Sequence, residues 1–172
     1  MSEQVVNKNK ELNLSEAGAA FIAKEEGFSY YPYDDIAGHC TVGNGVLLHY
    51  GPCTPEQKST KYDTKNLSAM LNTRLNEAQR YVRLFVTDTA LSQHQFDALT
   101  SFVFNVGVGN AKPVLKLAND SDFLEAGKKM SQYIWVTQKK SDGSKVKVKA
   151  NGLVNRRAFE VIPFQIQSSE GE

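Results

Sequence analysis

Two carboxylates and a hydroxyl stand at fixed intervals near the start of the chain. In EEGFSYYPYDDIAGHCTVGNG, residues 25–45, Glu26 precedes Asp35 by nine positions and Asp35 precedes Thr41 by six. Two carboxyl groups in unlike surroundings are the minimum apparatus for cleaving a glycosidic bond. One gives the leaving oxygen a proton, and the other stabilises positive charge or activates water. Glu26 suits the first task, on the buried face at a helix C-terminus, where burial and the negative end of the helix dipole favour the neutral acid. Asp35 suits the second, in a polar turn beside Asp34 and Gly38. Thr41 stands on a strand, and its hydroxyl can hold a water between the two. By type alone these residues also fit a solvated helix end and an ordinary Asp-Asp turn. Spacing separates the readings.

These side chains need a helix, a turn and a strand to carry them. Ser15 is placed to cap a helix running to Glu26, with Gly27 as its C′ residue and Ala19, Phe21 and Ile22 as its buried stripe. The aromatic stretch before Gly38 reads as a tight turn. Gly38 to Tyr50 then reads as a small antiparallel hairpin or three-stranded sheet, punctuated by Gly43 and Gly45. Thr54 and Pro55 open the next helix. From Thr64 to Phe85, Leu67, Met70, Leu71, Leu75, Ala78, Val82 and Phe85 recur at helical spacing, a length of roughly 30 Å that can span two lobes. Ser92 caps a helix whose stripe is Phe96, Leu99, Phe102 and Val103. Further helices are predicted over 112–118, 121–133 and 153–161, with a β-hairpin turn at Asp142-Gly143.

That order makes an α+β protein. Residues 1–13 are expected to be a flexible segment and 14–172 a single domain, with a small sheet-containing lobe over about 27–63 and a helical lobe over about 64–165.

Composition narrows the classes. At 172 residues and 41% hydrophobic, the chain can bury one core or two small ones. Lys and Arg number 20 against 19 Asp and Glu, a net charge of +1 that carries no signature of nucleic-acid binding. No run approaches 18 apolar residues, so no stable membrane insertion is expected. MSEQVVNKNKELN has no apolar core, which leads to the expectation of cytoplasmic synthesis without a Sec-type signal. The order H-C-x8-H-x3-C formed by His39, Cys40, His49 and Cys53 fits no usual zinc spacing, and neither metal nor cofactor is expected. Cys40 and Cys53 are candidates for a disulfide worth roughly 3 kcal/mol, or for free thiols in a reducing cytoplasm; the sequence leaves this open. Cys40 as a nucleophile lacks a base, since His39 points to the opposite face of the strand. The lysines of KKSDGSKVKVK read as a solvated hairpin with a blunted edge, or as an attraction to anionic envelope surfaces.

Glu26-Gly27, Tyr33, Asp35, Gly38 and the run Thr41-Val42-Gly43-Asn44-Gly45 resemble the phage-type lysozymes, glycoside hydrolase family 24, at matching intervals. LSQHQFDALTSFVFNVGVGN (91–110), Trp135 and GLVNRRAFE (152–160) extend the resemblance over about residues 14–161. It implies a two-lobed lysozyme fold with a long connecting helix, and a monomeric muramidase. Its substrate would be the β-1,4 bond between N-acetylmuramic acid and N-acetylglucosamine in peptidoglycan strands. Glu26 would be the acid, with Asp35 and Thr41 holding the attacking water and the outcome inverting. Asn105 would face the cleft, with a helix C-cap as its alternative role. Arg156 would approach Glu26 and favour its anion against burial, with a surface charge as the alternative for it or Arg157. The resemblance also implies action on the cell wall in the periplasm after release through a holin or an export system. His39, Cys40 and Val46 depart from the pattern of many relatives. A non-catalytic glycan-binding protein on the same scaffold, a secreted antibacterial toxin with the same activity and a glycosidase acting on chitin-like polymers are the alternatives.

Overall fold

The computed structural model describes residues 6–165. Helix α1 (Glu16–Glu26) leads into a three-stranded antiparallel sheet of β1 (Ser29–Asp34), β2 (Cys40–Gly43) and β3 (Val46–His49), in that order. Short α2 (Pro55–Ser59) and long α3 (Thr64–Phe85) follow. Then come α4 (Gln93–Val106), α5 (Val108–Asn119) and α6 (Phe123–Met130), a second sheet of β4 (Trp135–Lys139) and β5 (Lys145–Lys149), and finally α7 (Asn151–Glu160) and α8 (Ile162–Gln165). The α+β order is the expected one. Helices predicted over 112–118, 121–133 and 153–161 occupy 108–119, 123–130 and 151–160.

The caps form where residue types place them. Ser15 accepts from the Gly18 N–H at 3.0 Å. Thr54 with Gln57, and Ser92 with Gln95, build capping boxes at the starts of α2 and α4. Helix α3 has 22 residues and so runs about 33 Å.

One segment differs from its reading. The aromatic stretch, which the sequence predicts to be a tight turn, contains β1, an edge strand in which Pro32 stands at a break in register between Ser29 and Tyr33. Proline lacks an N–H, so an edge and an irregularity are where a strand can hold it.

Two apolar clusters hold the chain. The larger packs α1, α3–α6 and α8 around Phe96, Leu99, Phe102, Val114 and Leu115, all fully buried. The smaller consists of Val42, Val46 and Leu67, with Leu48, Tyr62 and Met70 against them.

Residues 6–13, expected as part of a flexible segment, are tied to the helices; 1–5 lie outside the described residues. Asn9 is fully buried. Its amide donates to Val86 O at 2.7 Å and Thr89 O at 2.8 Å, and it accepts from the Leu91 N–H at 2.8 Å. A polar side chain plugs the α3–α4 connection by satisfying backbone groups that burial would otherwise orphan.

Candidate active site

Glu26 is the last residue of α1 and its side chain is 14% exposed. The helix stops there because Gly27 takes φ +63°, and its end is held by the turn between β2 and β3. Asn44 donates to Ala23 O at 3.3 Å and also to Gly27 O, supplying donors to carbonyls that a helix terminus leaves unpaired. Gly45 then passes so close that a Cβ there would lie 2.6 Å from Glu26 Oε2. The sequence G-N-G thus does three local jobs: Gly43 and Gly45 turn the chain at positive φ, Asn44 caps the helix, and Gly45 leaves room for the acid.

Asp35 follows β1, and its two oxygens are in different situations. Oδ1 accepts from the Ala37 and His39 N–H groups, each at 2.9 Å, which fixes the carboxylate. Oδ2 faces Thr41 Oγ1 at 3.2 Å. Thr41 is nearly fully buried on β2, and its hydroxyl also lies 3.2 Å from His39 O. Tyr33 connects the pieces. Burial first, then the negative charges of Glu26 and Asp35, push its phenol above the ordinary tyrosine value, so it stays neutral near both carboxyl groups.

Arg156, for which a surface role was open, is buried and bonded to Glu26 through Nη1. Arg157 is buried as well, stacked over the Phe102 ring at 4.9 Å. Burial lowers its guanidinium pKa, opposed by the Glu160 carboxylate. Asn105 lies in α4 one residue before its end, and its Oδ1 accepts from Arg157 rather than capping the helix. Glu26, Asn105 and Arg156 line one cleft of about 670 Å³, together with Ile36, Tyr133, Trp135 and Asn151. Asp35 and Thr41 are not among that cleft's lining residues.

Nothing in the sequence singled out a further arginine beside Glu26. Arg74, midway along α3, donates to Gly45 O and stacks over Phe104 at 4.1 Å. Burial lowers its pKa, and the nearby Glu26 carboxylate opposes that. It therefore bonds the sheet and touches the helical side at once. Its position in a long amphipathic helix gave no signal of this, since an arginine there reads as part of the wet face.

Cys40 and Cys53 are joined in a disulfide whose Cα atoms are 4.6 Å apart, one residue from Thr41. His39 Nδ1 accepts from the Gly51 N–H at 3.1 Å, and His49 Nε2 pairs with Gln57 Oε1 at 3.0 Å, so the four residues of the zinc-like string are otherwise engaged.

The model of the phage lysozyme family matches residues 23–160. The SAR-endolysin of Escherichia phage Mu is 30% identical over 147 residues, covering 84% of this chain and 77% of that protein. The endolysin of Acyrthosiphon pisum secondary endosymbiont phage 1 is 26% identical over 161 residues, covering 90% and 99%. Among solved structures, an endolysin from Escherichia coli O157:H7 phage FAHEc1 superposes with a TM-score of 0.70 at 25% identity, over 90% of this chain and 94% of that one. The muramidase domain of SpmX from Asticaccaulis excentricus gives 0.69 at 25% identity, over 91% and 100%. The chain belongs to the phage lysozyme family.

Proposed function

We propose that this lysozyme cleaves the β-1,4 bond between N-acetylmuramic acid and N-acetylglucosamine with Glu26 as general acid and Asp35 and Thr41 as the pair that holds the attacking water. The chain is a peptidoglycan-hydrolysing glycosidase. The observation that carries the residue assignment is the asymmetry of Asp35. One oxygen is anchored by two backbone N–H groups, and the other is presented to a threonine hydroxyl. Such a carboxylate cannot swing away, and its free lone pairs with Thr41 Oγ1 make a two-point holder for one water.

Glu26 lines the wall of the cleft, and its charge and that of Asp35 both act on the Tyr33 phenol. As the leaving oxygen takes its proton, positive charge develops on the sugar ring, and the Asp35 anion stabilises it. The water then attacks from the face opposite the leaving group. Asn105 offers an amide to the substrate's acetamido groups, its carbonyl held by Arg157 and its NH2 left to donate. The same proposal includes action as a monomer, on the cell wall, after release through a holin lesion or an export system.

The test is digestion of purified peptidoglycan by wild type and Glu26→Gln, with new reducing ends identified by mass spectrometry. Wild type releases muramic-acid ends, and the folded variant loses at least about a hundredfold in rate, the contribution typical of a positioned proton donor. A folded Glu26→Gln protein that cleaves like wild type would refute the assignment.

A further inference from the structure

GLVNRRAFE ends in a glutamate for which the reaction described above has no task. Glu160 closes α7, and its side chain is fully enclosed. Three donors from two helices converge on it. Ser101 Oγ of α4 donates to Oε1 at 2.6 Å, Arg156 Nε donates to the same oxygen at 3.0 Å, and Arg157 Nη1 donates to Oε2. Positions 156, 157 and 160 are four and three apart, so one face of α7 carries all three side chains.

The two arginines then part. Arg156 goes on to Glu26, and Arg157 goes on to Asn105. Arg156 is further fixed by Nη2, which lies 3.2 Å from both Ser101 O and Ser101 Oγ. Packing does not call for this arrangement, because a buried ion cluster is often replaceable by apolar groups of similar volume without loss of stability. What apolar groups could not do is aim two guanidinium forks at two residues of the cleft.

We propose that Glu160 is a positioning residue of the active site, one enclosed carboxylate that holds Arg156 against Glu26 and Arg157 against Asn105. The inference rests on Glu26 being the acid. Without Glu160 the two guanidinium groups lose the shared partner that fixes their direction toward Glu26 and Asn105.

The experiment compares Glu160→Gln and Glu160→Asp with wild type and Glu26→Gln, following kcat and KM on purified peptidoglycan, with folding checked by circular dichroism. Glu160→Gln keeps the shape but loses the charge-assisted bonds to both arginines, so kcat falls about tenfold through Glu26 while KM rises through Asn105, the scale expected of a small misplacement of acting groups. Glu160→Asp keeps the charge but retracts the carboxylate by one methylene, and kcat and KM move in the same directions. A folded Glu160→Gln or Glu160→Asp with wild-type kcat and KM overturns the proposal. If Glu160→Gln does not fold, Glu160→Asp decides alone. Failure of the parent reading looks different: wild type does not cleave, or Glu26→Gln cleaves as well as wild type.

Discussion

The two sides of the active site are held by different physics. On the helical side, Glu26 ends a helix packed on the large apolar cluster, and an enclosed group of two arginines and a glutamate grips it. On the sheet side, which carries Asp35 and Thr41, the apolar cluster has three buried residues among those described. There the fixing is local: two backbone N–H groups on Asp35, a disulfide next to Thr41, and the Lys58–Asp34 ion pair with the Cys53 N–H on the same carboxylate. A large core can position a side chain through packing, whereas a small one needs a covalent staple and hydrogen bonds, as other small scaffolds do.

The largest expected effect breaks the helical side. Phe102→Ala removes a fully buried ring beneath Arg157 and is expected to cost about 3–5 kcal/mol, read from denaturant unfolding. Next, replacing Cys40 and Cys53 by Ser is expected to cost about 3 kcal/mol, with the loss confined to the sheet side. Hydrogen exchange checks that confinement: amides of β2 and β3 lose protection while those of α4 keep theirs. Gly45→Ala tests the seam between the sides. It forces a Cβ onto Glu26 at a positive-φ position, so stability falls by about 1–2 kcal/mol while activity falls about a hundredfold, a split read by pairing thermal unfolding with initial rates.

The smallest effect concerns Asp34. The Lys58 hydrogen bond first, then the Cys53 N–H, hold its carboxyl below the ordinary aspartate value. A carboxyl depressed in the folded state contributes stability that is present above its unfolded pKa and lost as pH falls through the folded one. Asp34→Asn is therefore slightly less stable than wild type near neutrality, and the difference in melting temperature closes on acidification. A gap that stayed constant with pH would mean that the ion pair contributes nothing to the sheet side.

The sequence carried the site's outline because its key intervals lie within one short covalent stretch. From Glu26 to Thr41 the chain has little freedom once a helix stop and a strand are placed, so spacing stands in for geometry. The remainder was hidden for physical reasons. Arg157 and Glu160 are charged residues, a class mostly found in water, and burial through mutual pairing leaves no trace of which residues pair; Arg74 is spent on a backbone carbonyl and an aromatic ring, which no sequence pattern marks. Strand β1 was obscured because proline and a break in register look like a turn. Asn9 sits in a polar run whose buried role depends on backbone groups almost eighty residues away.

The central claim is that each side supplies one half of the reaction, a proton from the helical side and a water from the sheet side. Proton NMR of the first product released from peptidoglycan, recorded before the sugar mutarotates, tests this most directly. A water delivered by Asp35 and Thr41 to the face opposite the leaving oxygen inverts the β bond, so the new muramic-acid end appears first as the α anomer. A β anomer appearing first would mean retention through a second displacement, and the water-holding role given to Asp35 and Thr41 would be wrong.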